Sequence, residues 1–311
     1  MTFGTRLTLG NEGKELCAKS QSVSVRELFR PFAVPYQRNI FVILNGYFDE
    51  SYNRQVFTLC CSCSNFTGWS EISRAWKKCI EAKNKSLRAE GRPEISRYHC
   101  SEANSRTEQF KGWSRQERDA LAIQLMSTLS RGRAWITTVA YSLPLQELIK
   151  EFKIEGDPLP FCYKEALRFI MIEMYAQMKA ARQVLVQTKP LKYVLFHERS
   201  DYDTAYLEGF NALMNDPTFE GKELFTTIAP MGWEDCIPLQ PADMLAYETF
   251  KDALRQFNHK DRRPSLNYLL QSSKFGGRAK QMNEENIKEW RDIIHRTVAK
   301  EARGPMLHEI T

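Results

Sequence analysis

A chain of 311 residues, 42% hydrophobic and 12% aromatic, carries enough apolar material for a sizeable core, which excludes a disordered main body. Its formal charge of +6 is mildly basic, suiting a polyanionic partner without requiring one. No apolar run reaches the length of a membrane span and no apolar leader is visible, so a cytoplasmic location without membrane attachment is expected.

In chain order, residues 1–38 hold scattered Gly and Pro with little periodicity, and read as an N-terminal extension with one short helix near 23–29. A β-branched apolar run leads from Ile40 to Leu44 and on to Asp49, reading as a buried first strand over 40–49. Ser51-Tyr-Asn-Arg is a hairpin-length link to a second strand over 55–64, so the two should pair antiparallel. A helix over 69–90 carries Arg74, Lys77, Lys78, Lys83, Lys85 and Arg88, either a solvated face or a surface that tracks phosphates. Ser114 and Glu117 have the spacing of a capping box for a helix ending near 131. A third strand is expected over 134–142, helices over 144–153 and 161–184, and a fourth strand over 192–198. Then come a helix over 203–214, a fifth strand over 223–229, a strong helix over 239–257 and a last helix over 283–302 after a Gly276-Gly277 loop. A hairpin followed by alternating strands and helices predicts an α/β fold, a mixed five-stranded sheet with helices on its faces.

The eight cysteines fall mostly in expected strands and helices, as small reduced core residues do. A zinc site of Cys61, Cys63, His99 and Cys100 is the alternative, but the chain lacks the two paired Cys-x-x-Cys segments of common zinc sites.

Chemistry collects at three acids. Strand alternation places Asp49 on the more polar face, with Asn45 and Tyr47, and Glu50 on the other. Asp-Glu-Ser is also ordinary turn chemistry. Glu198 ends a similar apolar run, although Glu198-Arg199 taken alone reads as a surface ion pair. In Pro238-Leu-Gln-Pro-Ala-Asp, Pro241 is expected at the first helical position and Asp243 in the first turn, heading the stripe Ala246, Tyr247, Phe250, Leu254 and Phe257. Asp243 either stabilises the helix start or works in a site. If the three acids converge, their charges raise one another's pKa and call for a cation. Hard carboxylate oxygens suit Mg²⁺ or Mn²⁺, and a two-metal site hydrolyses phosphodiesters.

The segments Tyr47-Phe-Asp-Glu-Ser, Tyr98-His-Cys-Ser-Glu, Phe196-His-Glu-Arg and Pro238-Leu-Gln-Pro-Ala-Asp-Met-Leu-Ala-Tyr-Glu resemble a bacterial and phage family. It is known as domain of unknown function 3800 and is regarded as ribonuclease H-like. The resemblance runs from about residue 40 to about 255, with the Leu-Gln-x-Ala-Asp helix as its most specific piece. It implies a ribonuclease H-like sheet with helical insertions, and acids on the first strand, the fourth strand and a late helix: Asp49, Glu198 and Asp243. Ser51 is followed by Tyr52 where the family often has Gly, and Glu198 stands where Asp is also common.

The chain thus divides into an extension (1–38), a ribonuclease H-like domain (39–258) and a helical tail packed on it (259–311). The expected function is phosphodiester hydrolysis on nucleic acid, with Asp49, Glu198 and Asp243 holding Mg²⁺ or Mn²⁺. His99 is a candidate to position water or protonate the leaving group, and Glu102 a candidate fourth ligand. Both also read as a structural pair, and Asp235 is an outside candidate. The alternative is a non-catalytic module of the same fold that binds nucleic acid or a protein partner. A third reading is chemistry on a small phosphorylated substrate such as a nucleotide.

Overall fold

The computed structural model describes residues 42–129, 136–184, 191–257, 260–271, 275–283 and 285–292. The expected extension, with its helix near 23–29, lies outside the described residues, as does the last helix beyond 292. The first hairpin joins β1 (Val42–Tyr52) to β2 (Val56–Asn65), antiparallel as expected. Its link is Asn53-Arg54-Gln55, and the Asn53 side chain accepts from the amides of Gln55 and Val56, both at 2.9 Å. Pairing persists to Tyr52 opposite Phe57, so Asp49 lies inside the strand and not at its end. The turn residues expected at Ser51 and Tyr52 are held extended by that cross-strand ladder.

Helix α1 (Phe66–Ala89) follows, its N-terminus capped by the Asn65 side chain on the Gly68 amide at 2.7 Å. After it come α2 (Cys100–Ser105) and α3 (Arg115–Thr128). Both bonds of the Ser114–Glu117 capping box are made, at 3.2 and 3.1 Å. The chain continues through β3 (Ile136–Pro144), α4 (Leu145–Phe152), α5 (Leu159–Val184) and β4 (Leu191–Glu198). Then come α6 (Asp203–Asn215), β5 (Phe225–Met231), α7 (Leu239–Phe257), α8 (Pro264–Leu270) and β6 (Phe275–Gln281).

The sheet has six strands in the order β5-β4-β1-β2-β3-β6. β1 is antiparallel to β2 and parallel to β4; β3 is antiparallel to β2; the outer β5 and β6 run parallel to their neighbours. Alternating side chains feed two cores. On one face Tyr47, Cys60 and Ala140 pack with Trp69, Ile72, Trp76, Leu125, Leu245 and Leu269 from α1, α3, α7 and α8. On the other, Phe48, Phe57, Leu59, Cys61 and Cys63 pack under α5 and α6. The result is a three-layer α/β fold.

The expected five strands become six because the Gly276-Gly277 loop is β6. Gly277 lies against β3 so closely that a Cβ there would stand 2.8 Å from the Thr138 carbonyl, and the glycines admit the approach. The tail is therefore mixed, not helical: α8 and β6 precede a helical segment over 285–292, whose Ile287 and Trp290 enter the α5 core. Arg262 and Arg263 tie it to buried Asp252 and Glu248 of α7, at 3.0 and 3.3 Å. Cys61 and Cys63 lie under α5, whereas Cys60 and Cys100 lie in the other core, so the zinc alternative has no common face. The two thiols instead flank Gly46, each 3.0 Å from where its Cβ would be. Among the described residues no helix is long and apolar enough to cross a membrane.

Candidate functional site

Three elements meet where β1 and β4 run side by side. Their parallel register pairs Phe48 with His197, so the next residues along, Asp49 and Glu198, are neighbours. Asp49 shares its face with Tyr47, which stacks on Phe196 at 5.3 Å and meets Trp69 edge-on at 4.9 Å. Helix α7 crosses this face and presents Asp243. It spans Leu239–Phe257, the expected bounds, but Pro241 is therefore the third helical residue and not the first, and Asp243 lies beyond the first turn. Pro241 is tolerated because amides that early have no helical partner. The helix is buried on all sides from Leu239 to Phe250, which replaces the single expected stripe, because α2 and α8 cover its outer face.

Asp243 and Gln240, one turn apart, anchor the segment before α2. Gln240 Oε1 accepts from Trp76 Nε1 at 3.0 Å and from the Tyr98 amide at 3.2 Å. Asp243 Oδ2 accepts from the Cys100 amide at 2.7 Å. The helix thus fixes His99 between two backbone contacts, beside the acids.

Asp49 and Asp243 are both 8% exposed. Burial, then the charges of Asp243, Glu50 and Glu198, push the Asp49 carboxyl well above the usual carboxylate range. Burial raises Asp243 as well, eased by the counter-charge of His99, the Cys100 amide, a hydrogen-bonding interaction with Asp49 and the charge of Arg97. Glu198 is raised by burial, lowered by Arg97, raised by Asp243, lowered by His99 and raised by Glu234. The three acids therefore lie within electrostatic reach of one another: the charge of Asp243 acts on both Asp49 and Glu198, and Asp49 bonds to Asp243.

Glu50 joins them from the other face. Burial raises its carboxyl; the Tyr163 hydroxyl eases it, while Glu198 and Asp243 oppose. Tyr163 and Tyr206 bring buried hydroxyls beside Glu50, yet neither reaches full hydrogen-bond geometry with any partner among the described residues. His197 stacks on Tyr206 at 4.1 Å, completing this lower layer.

The rim is built by residues 97–102. His99 Nδ1 donates to Glu102 Oε1 at 2.9 Å, and Arg97 Nη2 donates to the same oxygen at 3.0 Å. Gln109 Nε2 donates to Glu102 Oε2 at 3.2 Å. Burial draws the Glu102 carboxyl upward, but the bonds from His99, Arg97 and Gln109 together hold it below the ordinary range. So engaged, Glu102 orients His99 and Arg97 and is not free as a fourth ligand. Arg97 also stands 3.8 Å from Glu198 Oε1, with its guanidinium 4.3 Å above the Trp233 ring. Asp235 is exposed, and its charge is not among the largest influences on the three acids.

The donors that converge are carboxylate oxygens, hard ligands of the kind Mg²⁺ and Mn²⁺ prefer. Among the described residues no three His, Cys, Asp or Glu are arranged so that they could hold a metal ion as they stand. A Mg²⁺ site, however, commonly uses only one or two carboxylates, filling the rest with water and substrate phosphate. Asp49 and Asp243 could supply two such carboxylates, and Glu198 could join them only on leaving Arg97.

Sequence reasoning passed over Arg97, Gln240, Trp233, Tyr163 and Tyr206. Gln240 was visible inside the Leu-Gln-Pro-Ala-Asp segment; the others have no local pattern that marks them. No family model, curated protein or solved structure matches this chain.

Proposed function

We propose that the chain is a ribonuclease H-like, divalent-metal-dependent nuclease that hydrolyses phosphodiesters. The carrying observation is the meeting of Asp49 and Asp243, residues far apart in sequence, as two buried carboxyls in contact, the charge of Asp243 pushing the Asp49 carboxyl upward. A stable fold gains nothing from such a pair unless a proton or a cation joins it. Glu198 on the neighbouring parallel strand supports the reading, as does the resemblance, which implies acids on the first strand, the fourth strand and a late helix.

Asp49 and Asp243 would hold the cation, with Glu198 as the further ligand. When bound there, Mg²⁺ or Mn²⁺ supplies Lewis-acid stabilisation of the phosphodiester charge and a lowered pKa for water. His99, held by Glu102 through Nδ1, would pass a proton at Nε2, which also meets Ser101 Oγ at 3.3 Å. Incubating the protein with labelled single- and double-stranded DNA and RNA tests the reading. Cleavage is expected with Mn²⁺ or Mg²⁺, lost in chelator and lost in Asp49→Asn. Metal-independent cleavage, or none on any of these substrates, sinks it.

One observation favours the non-catalytic alternative. Arg74, Lys77, Lys78 and Lys85 of α1 are exposed, as a module that only binds nucleic acid requires. Binding that is indifferent to both metal and Asp49→Asn would select it.

A further inference from the structure

Arg97 has an arrangement that a purely structural arginine does not need. Its guanidinium is hydrogen-bonded to Glu102, stacked over Trp233 and held at ion-pair distance from Glu198 without a hydrogen bond to it. The side chain is 18% exposed, so it stands at the mouth of the acid cluster. Among the largest charges acting on Glu198 and Asp243, those of Arg97 and His99 lower both carboxyls against the burial that raises them.

We propose that Arg97 is a resident counter-cation, occupying Glu198 while the Asp49–Asp243 seat lacks a divalent ion and turning to the substrate's phosphodiester once that ion is bound. This rests on the metal-dependent reading above and deepens it by naming what the ion displaces. The contact with Glu198, at 3.8 Å, is loose enough to exchange, whereas the bond to Glu102 and the Trp233 ring keep the guanidinium at the rim. A guanidinium released there is a planar fork suited to a phosphodiester. A positive charge beside a cation site must weaken ion binding, because a divalent ion feels it twice as strongly as a proton does.

The test uses the full chain and Mn²⁺ alone, titrated calorimetrically. Arg97→Gln keeps a donor for Glu102 and removes the charge; it should bind Mn²⁺ about tenfold more tightly than wild type. Arg97→Lys keeps the charge and should bind Mn²⁺ as wild type does. Should Arg97→Gln fail to fold, Arg97→Met, which keeps an apolar contact with Trp233, is expected to give the same tightening. The second arm measures short single-stranded DNA and RNA oligonucleotides by anisotropy, with and without Mn²⁺. The affinity gained on adding Mn²⁺ should be about tenfold smaller in Arg97→Gln, the scale of one charge-assisted hydrogen bond. Mn²⁺ binding by wild type with equal or weaker binding by the neutral variants overturns this proposal and leaves the nuclease reading standing. Binding by the neutral variants alone supports it in its strongest form. No binding by any of them removes both.

Discussion

Asp243→Asn keeps the size of a buried side chain and removes one of two opposed charges. Its amide oxygen still accepts from Cys100, so the metal-free protein should be as stable as wild type or more so. The rise in Tm that Mn²⁺ produces by binding the folded state should vanish. An Asp243 that merely stabilised its helix would show the opposite: a loss of about 0.3–1 kcal/mol by urea denaturation and an intact metal response. The pH dependence follows from the same pair. Asp49 and Asp243 have folded pKa values raised above their unfolded ones, so the folded state binds more protons. Their contribution is fully present below the unfolded value, about 4, and is lost as pH rises through the raised folded values. Urea denaturation in chelator from pH 4 upward should show stability falling with pH, and Asp49→Asn should flatten that slope. A stability that climbs across the same window would contradict the burial of this pair.

At the scale of elements, α1 and α3 are joined through one carboxylate. Glu117 closes the capping box of α3 and accepts from Lys83 of α1 at 3.0 Å and from Arg92 at 2.6 Å. The Arg92 bond, opposed by burial and aided by Lys83 and the Ser114 amide, holds its carboxyl down at about 2. The folded pKa is depressed, so this stability is present above the unfolded value of about 4.3 and is lost as pH falls through about 2. Glu117→Ala should cost about 1–2 kcal/mol at pH 7, a cap plus two partly exposed ion pairs. The deficit should shrink in acid, which chemical denaturation at pH 7 and pH 3 would reveal. A deficit equal at both would place its origin in packing and not in charge.

For the molecule as a whole, α1 packs on the same face of the sheet as α7, so its exposed basic residues share a layer with the helix that presents Asp243. If a nucleic acid binds on this layer, those side chains are the ones that would meet its phosphates. Replacing Lys77, Lys78 and Lys85 with Ala should weaken oligonucleotide binding. On a single strand it should also reduce the slope of log affinity against log salt, by about 0.7 for each phosphate that is no longer neutralised. An unaltered slope would return α1 to an ordinary solvated face. The tail belongs to the same body: β6 extends the sheet beyond β3, and Trp290 packs on Phe152 and Phe169 at 4.7 and 5.0 Å.

Strand and helix periods were legible because side-chain burial is periodic: the first hairpin, the α3 capping box and the α7 run all carry local patterns. β6 was not, since Gly276-Gly277 has the composition of a loop, and only the vacant edge of β3 makes it a strand. The extent of β1 past Asp49 was equally hidden, because a cross-strand ladder and not local propensity holds Ser51 and Tyr52 extended. The sequence marked Asp49, Glu198 and Asp243 one at a time, each at the end of an apolar pattern. Their meeting was decided by the parallel register of β1 with β4 and by the path of α7 across the sheet. Arg97 and the Tyr163–Tyr206 pair had no such mark, since a residue's worth as a counter-charge or a buried hydroxyl depends on neighbours that only the folded chain supplies.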